Sequence, residues 1–179
     1  MTSVRAYVGI GSNLDDPLTH VLQAFRDLDA IPQSRGVARS PLYRSKPLGP
    51  HDQPDYINAV AALETALTAA DLLRALQAIE AAHGRIRQQH WGPRTLDLDL
   101  LLYDDLVRQD PALTLPHPRL HERAFVLRPL YAIAPDLVIP GRGAVRRLLR
   151  ACSLLGIEPV GANLKPATMN SFHQLANLR

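Results

Sequence analysis

Apolar residues recur along the chain at two spacings, about every second and about every third or fourth position, and the switches between them predict its elements. Residues 4–10 form a short apolar run suited to a buried strand, followed by a turn at Gly11-Ser12-Asn13. Over residues 17–28 the apolar positions Leu18, Val21, Leu22, Phe25 and Leu28 return at helical spacing, and Pro17 suits a first helical position. Residues 36–44 predict a second strand in which Pro41 marks an edge or a bulge. Residues 56–65 predict a third, with Tyr56, Asn58 and Val60 on one face and Ile57, Ala59 and Ala61 on the other. Thr68-Ala69-Ala70-Asp71 resembles a capping box. It opens a helix that Gly84 ends, with Leu72, Leu73, Leu76 and Ile79 turned inward. A fourth strand begins at Leu96. Beyond it the pattern predicts an extended stretch at 113–118, a helix at 123–134 stopped by Pro135, and a last helix at 145–155.

The first 103 residues therefore read β-α-β-β-α-β, which is the ferredoxin-like arrangement: an antiparallel sheet with two helices on one face. In that topology the first and third strands are central and the fourth flanks the first. The two later helices are expected to cover part of the opposite face or one end. The result is an α+β fold built as a three-layer α/β/α sandwich. No linker or repeat divides the chain, so residues 1–160 are expected to form one domain and residues 161–179 a mobile tail.

Composition narrows the chemistry. With 179 residues, 46% apolar and 21% charged, the chain has the make-up of an ordinary globular domain. The net charge of +3 is mild, and only Arg146, Arg147 and Arg150 cluster, as one solvated helix face. A small anionic substrate explains the basic balance at least as well as a nucleic acid. The single Cys152 excludes an intrachain disulfide and a cysteine-rich zinc site; beside Leu148, Leu149, Leu154 and Leu155 it reads as a core thiol. No apolar run reaches membrane-spanning length and no export signal opens the sequence, so a cytoplasmic location is expected.

The fourth strand carries the chemistry. In Leu96-Asp97-Leu98-Asp99-Leu100, Asp97 and Asp99 share one face roughly 6–7 Å apart along the backbone. Two like charges so placed repel unless a cation lies between them, and they suit one hard cation or two. The plain alternative is the solvated face of an edge strand. Just upstream, Trp91-Gly92-Pro93 is turn material and Arg94 brings a phosphate-type cation to the same edge. Gly9-Ile10-Gly11 lacks the third glycine of a dinucleotide fingerprint, and no P-loop lysine motif occurs.

Three segments together resemble the hydroxymethyldihydropterin pyrophosphokinases of folate synthesis: Tyr7-Val8-Gly9-Ile10-Gly11-Ser12-Asn13-Leu14, the run from Pro47 to Asn58, and Trp91 to Asp99. The likeness spans residues from about 4 to 158. It implies transfer of the β,γ-diphosphate of ATP to the hydroxymethyl group of 6-hydroxymethyl-7,8-dihydropterin, with AMP released. It also implies two Mg²⁺ ions at Asp97 and Asp99, with Arg85 and Arg94 as the catalytic phosphate-binding arginines. By the same resemblance, ATP would meet Leu73, Gln77, Glu80, Arg85, Arg94, Leu100, His117 and Arg123. The pterin would meet Ser45, Leu48, Tyr56, Asn58, Trp91, Asp97 and Phe125. Small-molecule substrates, no nucleic-acid or membrane partner, and a monomer are expected.

Two features depart from that pattern: Lys46 stands where a small or apolar residue is usual, and the 85–91 loop is one residue shorter than in some relatives. Two other readings compete. A two-metal phosphohydrolase would use the same aspartates but needs further ligands that do not cluster in the sequence. A ferredoxin-like RNA-binding module would need an aromatic sheet motif that is missing, with aromatics only 5% of the chain.

Overall fold

The computed structural model describes residues 3–48, 53–84 and 94–161. Its main sheet is built on β1 (Val4–Ser12), β4 (Tyr56–Thr65) and β5 (Asp97–Tyr103). β1 lies antiparallel between the other two, with Gly11 opposite both Asn58 and Asp97. β2 (Ser34–Arg39) and β3 (Tyr43–Ser45) pair successively along the outer edge of β4, and β10 (Ile157–Pro159) adds to β3. As expected from the strand pattern, the first and third predicted strands are central and β5 flanks β1 as an edge.

α1 (Pro17–Asp29) and α2 (Ala69–Ala82) cover one face of the sheet. Alternation on the strands supplies that face with Val8, Ile10, Ala59, Leu63, Leu98 and Leu100, against Val21, Phe25, Leu72 and Leu76. Thr68 caps α2 by accepting from the Asp71 amide, and Gly84 follows at φ +74, a left-handed value that glycine adopts without a Cβ clash. α3 (Ala124–Ile133) and α4 (Val145–Ala151) cover the opposite face, where Val60 and Leu101 meet Val126, Leu127, Leu130 and Leu149. That gives the three layers. The second helix layer stops short of one end of the sheet, and the site lies at that end.

Several elements differ from the sequence pattern for local reasons. β1 runs on through Ser12, because Gly11 and Ser12 still pair with Asn58 and Ile57. The second predicted strand is broken at Ser40-Pro41-Leu42. Proline cannot donate to the ladder, and the Ser40 hydroxyl instead accepts the Val60 amide. The stretch at 113–118 is extended only at β7 (Thr114–Leu115), paired with β6 (Arg108–Gln109), and a 3₁₀ turn follows at Leu120–Glu122. A small ribbon of β8 (Val138–Ile139) and β9 (Gly143–Ala144) precedes α4. α4 ends at Ala151, and Leu154 and Leu155 are exposed, so only Leu148 and Leu149 pack with Cys152. Burial raises the Cys152 thiol above its ordinary pKa, as for a structural cysteine. Residues 162–179, the body of the expected tail, lie outside the described residues.

Candidate active site

Asp97 and Asp99 open β5 on the face that α3 and α4 leave bare. Gly11 and Gly9 stand directly opposite them on β1. A Cβ on Gly11 would come within 3.6 Å of Asn58 Oδ1, and one on Gly9 within 3.3 Å of Leu101, so the glycines keep the sheet surface low between Asp97 and Asn58. The hollow this leaves is a cavity of about 120 Å³, lined by Gly9, Gly11, Ser45, Lys46, Pro47, Leu48, Gln53, Tyr56, Asn58, Arg94, Asp97, Asp99, Arg123, Phe125 and Val126. Residues expected at both ends of the chemistry therefore converge on one space.

One end of the cavity presents an aligned acceptor. Asn58 is buried on β4, and its Nδ2 donates to Ser45 Oγ at 2.8 Å and to the Tyr43 carbonyl at 3.4 Å. With both amide protons engaged, Oδ1 is the group left to face the cavity. Ser45 lines the cavity beside Asn58. Tyr56 and Phe125 supply flat walls, Phe125 also resting on the core beneath α3. Leu48 stands exposed at the mouth. Lys46 pairs with Asp55 at 2.9 Å, joining the two limbs of the intervening loop.

The other end is charged. Arg94 NH1 lies 2.8 Å from Asp97 Oδ1. Arg123 NH1 and His117 Nε2 lie 3.7 and 3.8 Å from Asp99 Oδ2. Burial and the charge of Asp97 push the Asp99 carboxyl up to about 7, against the pull of Arg123. Burial, with Arg123 adding repulsion, depresses the His117 imidazole to about 4, so His117 is neutral at pH 7. Its Nδ1 accepts from the Arg119 amide, which places the ring proton on Nε2, facing Asp99. The Arg123 guanidinium sits 5.8 Å from the Phe125 ring centre, and its Nε is buried without a partner.

A carboxylate pair with one member held partly protonated is a site that a hard divalent cation relieves. Among the described residues no third His, Cys, Asp or Glu completes a metal cluster. The remaining ligands would have to be water and phosphate, which is the habit of Mg²⁺. The oxygen-only donor pair fits that ion.

Four residues expected at the nucleotide stand on α2 and β5, outside the lining of this cavity. Leu100 and Leu73 pack into the core between α2 and β5, and Gln77 is exposed on α2. Glu80 is 3% exposed and its Oε1 accepts the Leu98 amide at 2.7 Å, on the open edge of β5 between the two aspartates. A carboxylate near a helix C-terminus opposes the helix dipole, and this bond offsets that position. Arg85 and Trp91 lie outside the described residues.

Pattern reasoning missed Ser12 and Asn13, read only as a turn. Both are buried. The Ser12 hydroxyl donates to the Thr95 carbonyl, and Asn13 exchanges bonds with the Arg94 backbone through its amide and Oδ1. Asn13 Nδ2 also donates to Gln53 Oε1 and the Pro54 carbonyl. The available signal was two polar residues closing an otherwise apolar strand.

The profile of the 7,8-dihydro-6-hydroxymethylpterin-pyrophosphokinase family matches residues 7–135. A 2-amino-4-hydroxy-6-hydroxymethyldihydropteridine pyrophosphokinase of Pseudomonas aeruginosa is 51% identical over 154 residues, covering 86% of this chain and 95% of that one. One of the same name from Haemophilus influenzae is 46% identical over 147 residues, covering 82% and 92%. Among solved structures, Plasmodium falciparum HPPK-DHPS with pterin and p-hydrobenzoate superposes with a TM-score of 0.64 at 13% identity. The match covers 84% of this chain and 44% of that longer one, and at that identity it speaks for the fold alone.

Proposed function

The chain belongs to the 7,8-dihydro-6-hydroxymethylpterin-pyrophosphokinase family, and from that premise we propose how its residues divide the work. The enzyme transfers the β,γ-diphosphate of ATP to the hydroxymethyl oxygen of 6-hydroxymethyl-7,8-dihydropterin, releasing AMP, as a step of folate synthesis.

The pterin is assigned to the hollow above Gly11. Asn58 Oδ1 accepts from the donor edge of the ring, Tyr56 and Phe125 sandwich its faces, and Leu48 stands at the mouth; the family resemblance adds Trp91 to the pterin contacts. This leaves the hydroxymethyl group pointing toward Asp97. The triphosphate is assigned to the charged end, where Arg94, Arg123 and the His117 Nε2–H converge, and the family resemblance adds Arg85 to its partners. The adenine then falls at the seam of α2 and β5, near Leu73, Gln77 and Leu100. Glu80, beside that seam, also supports β5 through the Leu98 amide.

Asp97 and Asp99 would hold Mg²⁺, two ions in this reading, which would supply positive charge against the negative charge that develops during transfer. The residues' own contribution is placement. The hydroxymethyl oxygen and the departing AMP oxygen must lie in line across the β-phosphorus, and the arginines fix the phosphate chain in that line. Arg94, now paired with Asp97, is positioned to turn to phosphate when substrate binds. A monomer in the cytoplasm, acting on small molecules, completes the proposal. No helix among the described residues is long and apolar enough to cross a membrane.

The observation that carries this reading is the adjacency of Asn58 and Asp97 across Gly11, which joins a ring-binding acceptor to a metal-binding carboxylate. The test is product analysis with ATP, Mg²⁺ and the reduced hydroxymethylpterin. AMP and pterin diphosphate should form one-for-one, and Asp97→Ala should nearly abolish both while the fold survives. Retained turnover in that variant would remove the metal assignment, and ADP in place of AMP would mean hydrolysis.

A further inference from the structure

A second cluster of ligating side chains lies between α1 and the end of α2, away from the substrate cavity. His20, Gln23 and Asp27 stand at i, i+3 and i+7 on one stripe of α1, and His83 caps the end of α2 opposite them. His83 Nε2 lies 2.8 Å from Asp27 Oδ2, and Gln23 Nε2 steadies the same carboxylate through Oδ1 at 3.0 Å. On the other side of its ring, His83 Nδ1 lies 2.7 Å from His20 Nδ1. The carboxylate has no proton to give, so His83 donates from Nε2. Its Nδ1 is then a lone pair, and His20 Nδ1–H is the donor that meets it.

An imidazole backed by a carboxylate, with its far lone pair aimed at a second imidazole, is the way proteins orient histidine toward a metal ion. Here a proton occupies the place of the ion. We propose that His20 and His83 bind a divalent transition cation of the zinc, nickel or copper type through their Nδ1 atoms, with Asp27 as the orienting outer carboxylate.

The ligand chemistry selects the ion. Two neutral imidazoles suit borderline cations and not Mg²⁺, which takes oxygen. Two nitrogens bound tetrahedrally at about 2.0–2.1 Å stand roughly 3.3 Å apart, so the pair must open by roughly 0.6 Å. His20 is partly exposed and can turn to do so. His20 passes its Nδ1 proton to Nε2 through solvent as the ion binds, and no net proton is lost. The groove beside the pair, lined by Thr19, Ala78, Ile79 and Ala82, gives water the room to complete the coordination. Asp27 stays outside the coordination, and among the described residues no group of three His, Cys, Asp or Glu is placed to ligate one ion, so the site is weaker than a closed four-ligand centre. The segments that carry the family resemblance contain none of these four residues.

The test is calorimetric titration of the full-length enzyme with Ni²⁺ and Zn²⁺, in excess Mg²⁺ so that Asp97 and Asp99 do not compete. The wild type should take up a single equivalent and melt at a higher temperature with the cation present. His83→Ala and His20→Ala should each abolish uptake, and Asp27→Asn should weaken it by about 10–100-fold. Circular dichroism without cation checks that each variant is folded. If His83→Ala fails that check, His20→Gln replaces it. No uptake by the wild type overturns the proposal and leaves a hydrogen-bonded clamp between two helices. Uptake that survives His20→Ala combined with His83→Ala overturns it too, by placing the ion on other residues.

Discussion

Replacing Asp99 by asparagine separates what the carboxylate does for catalysis from what it costs the fold. Burial and Asp97 raise the Asp99 carboxyl from 3.8 to about 7, so the folded chain holds this proton more tightly than the unfolded chain does. The stability that goes with it is complete below the ordinary carboxylate range and is lost as pH climbs through about 7. Carried through in full, the displacement corresponds to about 4 kcal/mol at pH 8. The side chain keeps 34% of its surface open, however, and solvent screening leaves roughly 1–2 kcal/mol. Asp99→Asn, neutral at every pH, escapes that loss. In Mg²⁺-free buffer the variant should therefore match the wild type near pH 4 and exceed it near pH 8 by roughly 3–6 °C in Tm. His117 titrates over an overlapping window, from its ordinary 6.5 down to about 4, but it is common to both proteins and cancels in the difference. Adding Mg²⁺ should raise the wild-type melt and leave the variant unmoved, and turnover by the variant should be nearly absent. Thermal melts at a series of pH values, with and without Mg²⁺, supply the readout. A variant that is no more stable than the wild type at pH 8 would refute the claim that this carboxylate is held at an electrostatic cost.

Two further substitutions address the groups around it. Arg94→Ala should lower the rate of transfer by about 100-fold while changing pterin affinity little, because Arg94 meets the charged end of the cavity; single-turnover kinetics beside pterin titration separates the two, and the opposite pattern would place Arg94 at the pterin. Glu80→Ala leaves the Leu98 amide without its acceptor on a buried edge and should cost about 1–3 kcal/mol in denaturant unfolding, whereas Glu80→Gln keeps an acceptor oxygen and most of that stability. Exchange of the Leu98 amide proton should be slow in the wild type and the Gln variant and fast in the Ala variant; equal loss in both variants would show that charge matters there and the bond does not.

The parts of this molecule legible in the sequence are those fixed by short-range periodicity. The faces of β4 follow from strict alternation, with Ile57, Ala59 and Ala61 beneath the helices and Asn58 and Val60 on the other side. The capping of α2 was visible because Thr68 and Asp71 meet within a single turn. What was not legible depends on partners distant in sequence. The short strand β10 exists because β3 offers it an open edge, and nothing in Ile157-Glu158-Pro159 announces that. Likewise, the polarity of Glu80 is explained by an amide 18 positions away, and that of Asn13 by backbone on two separate loops. Of the site, Asp97, Asp99, Asn58, Tyr56, Phe125, Arg94 and Arg123 do line one cavity. Leu73 on α2 and Leu100 on β5 pack toward the same core, a meeting of helix and strand that neither segment's own periodicity discloses.

Asn13 holds Arg94 through one group and the Gln53-Pro54 segment through another. A hydrogen-bonding residue shared by two loops makes their fluctuations correlated: wherever one loop is arrested, the other has already surrendered part of its freedom. In the assignment made here the first loop serves the phosphates and the second borders the pterin. The ordering entropy spent on the first substrate to arrive is then not spent again on the second, and by reciprocity each substrate tightens the other by the same factor. Cooperation between the two substrates would thus be written into a single amide side chain, with no movement of the sheet beneath it.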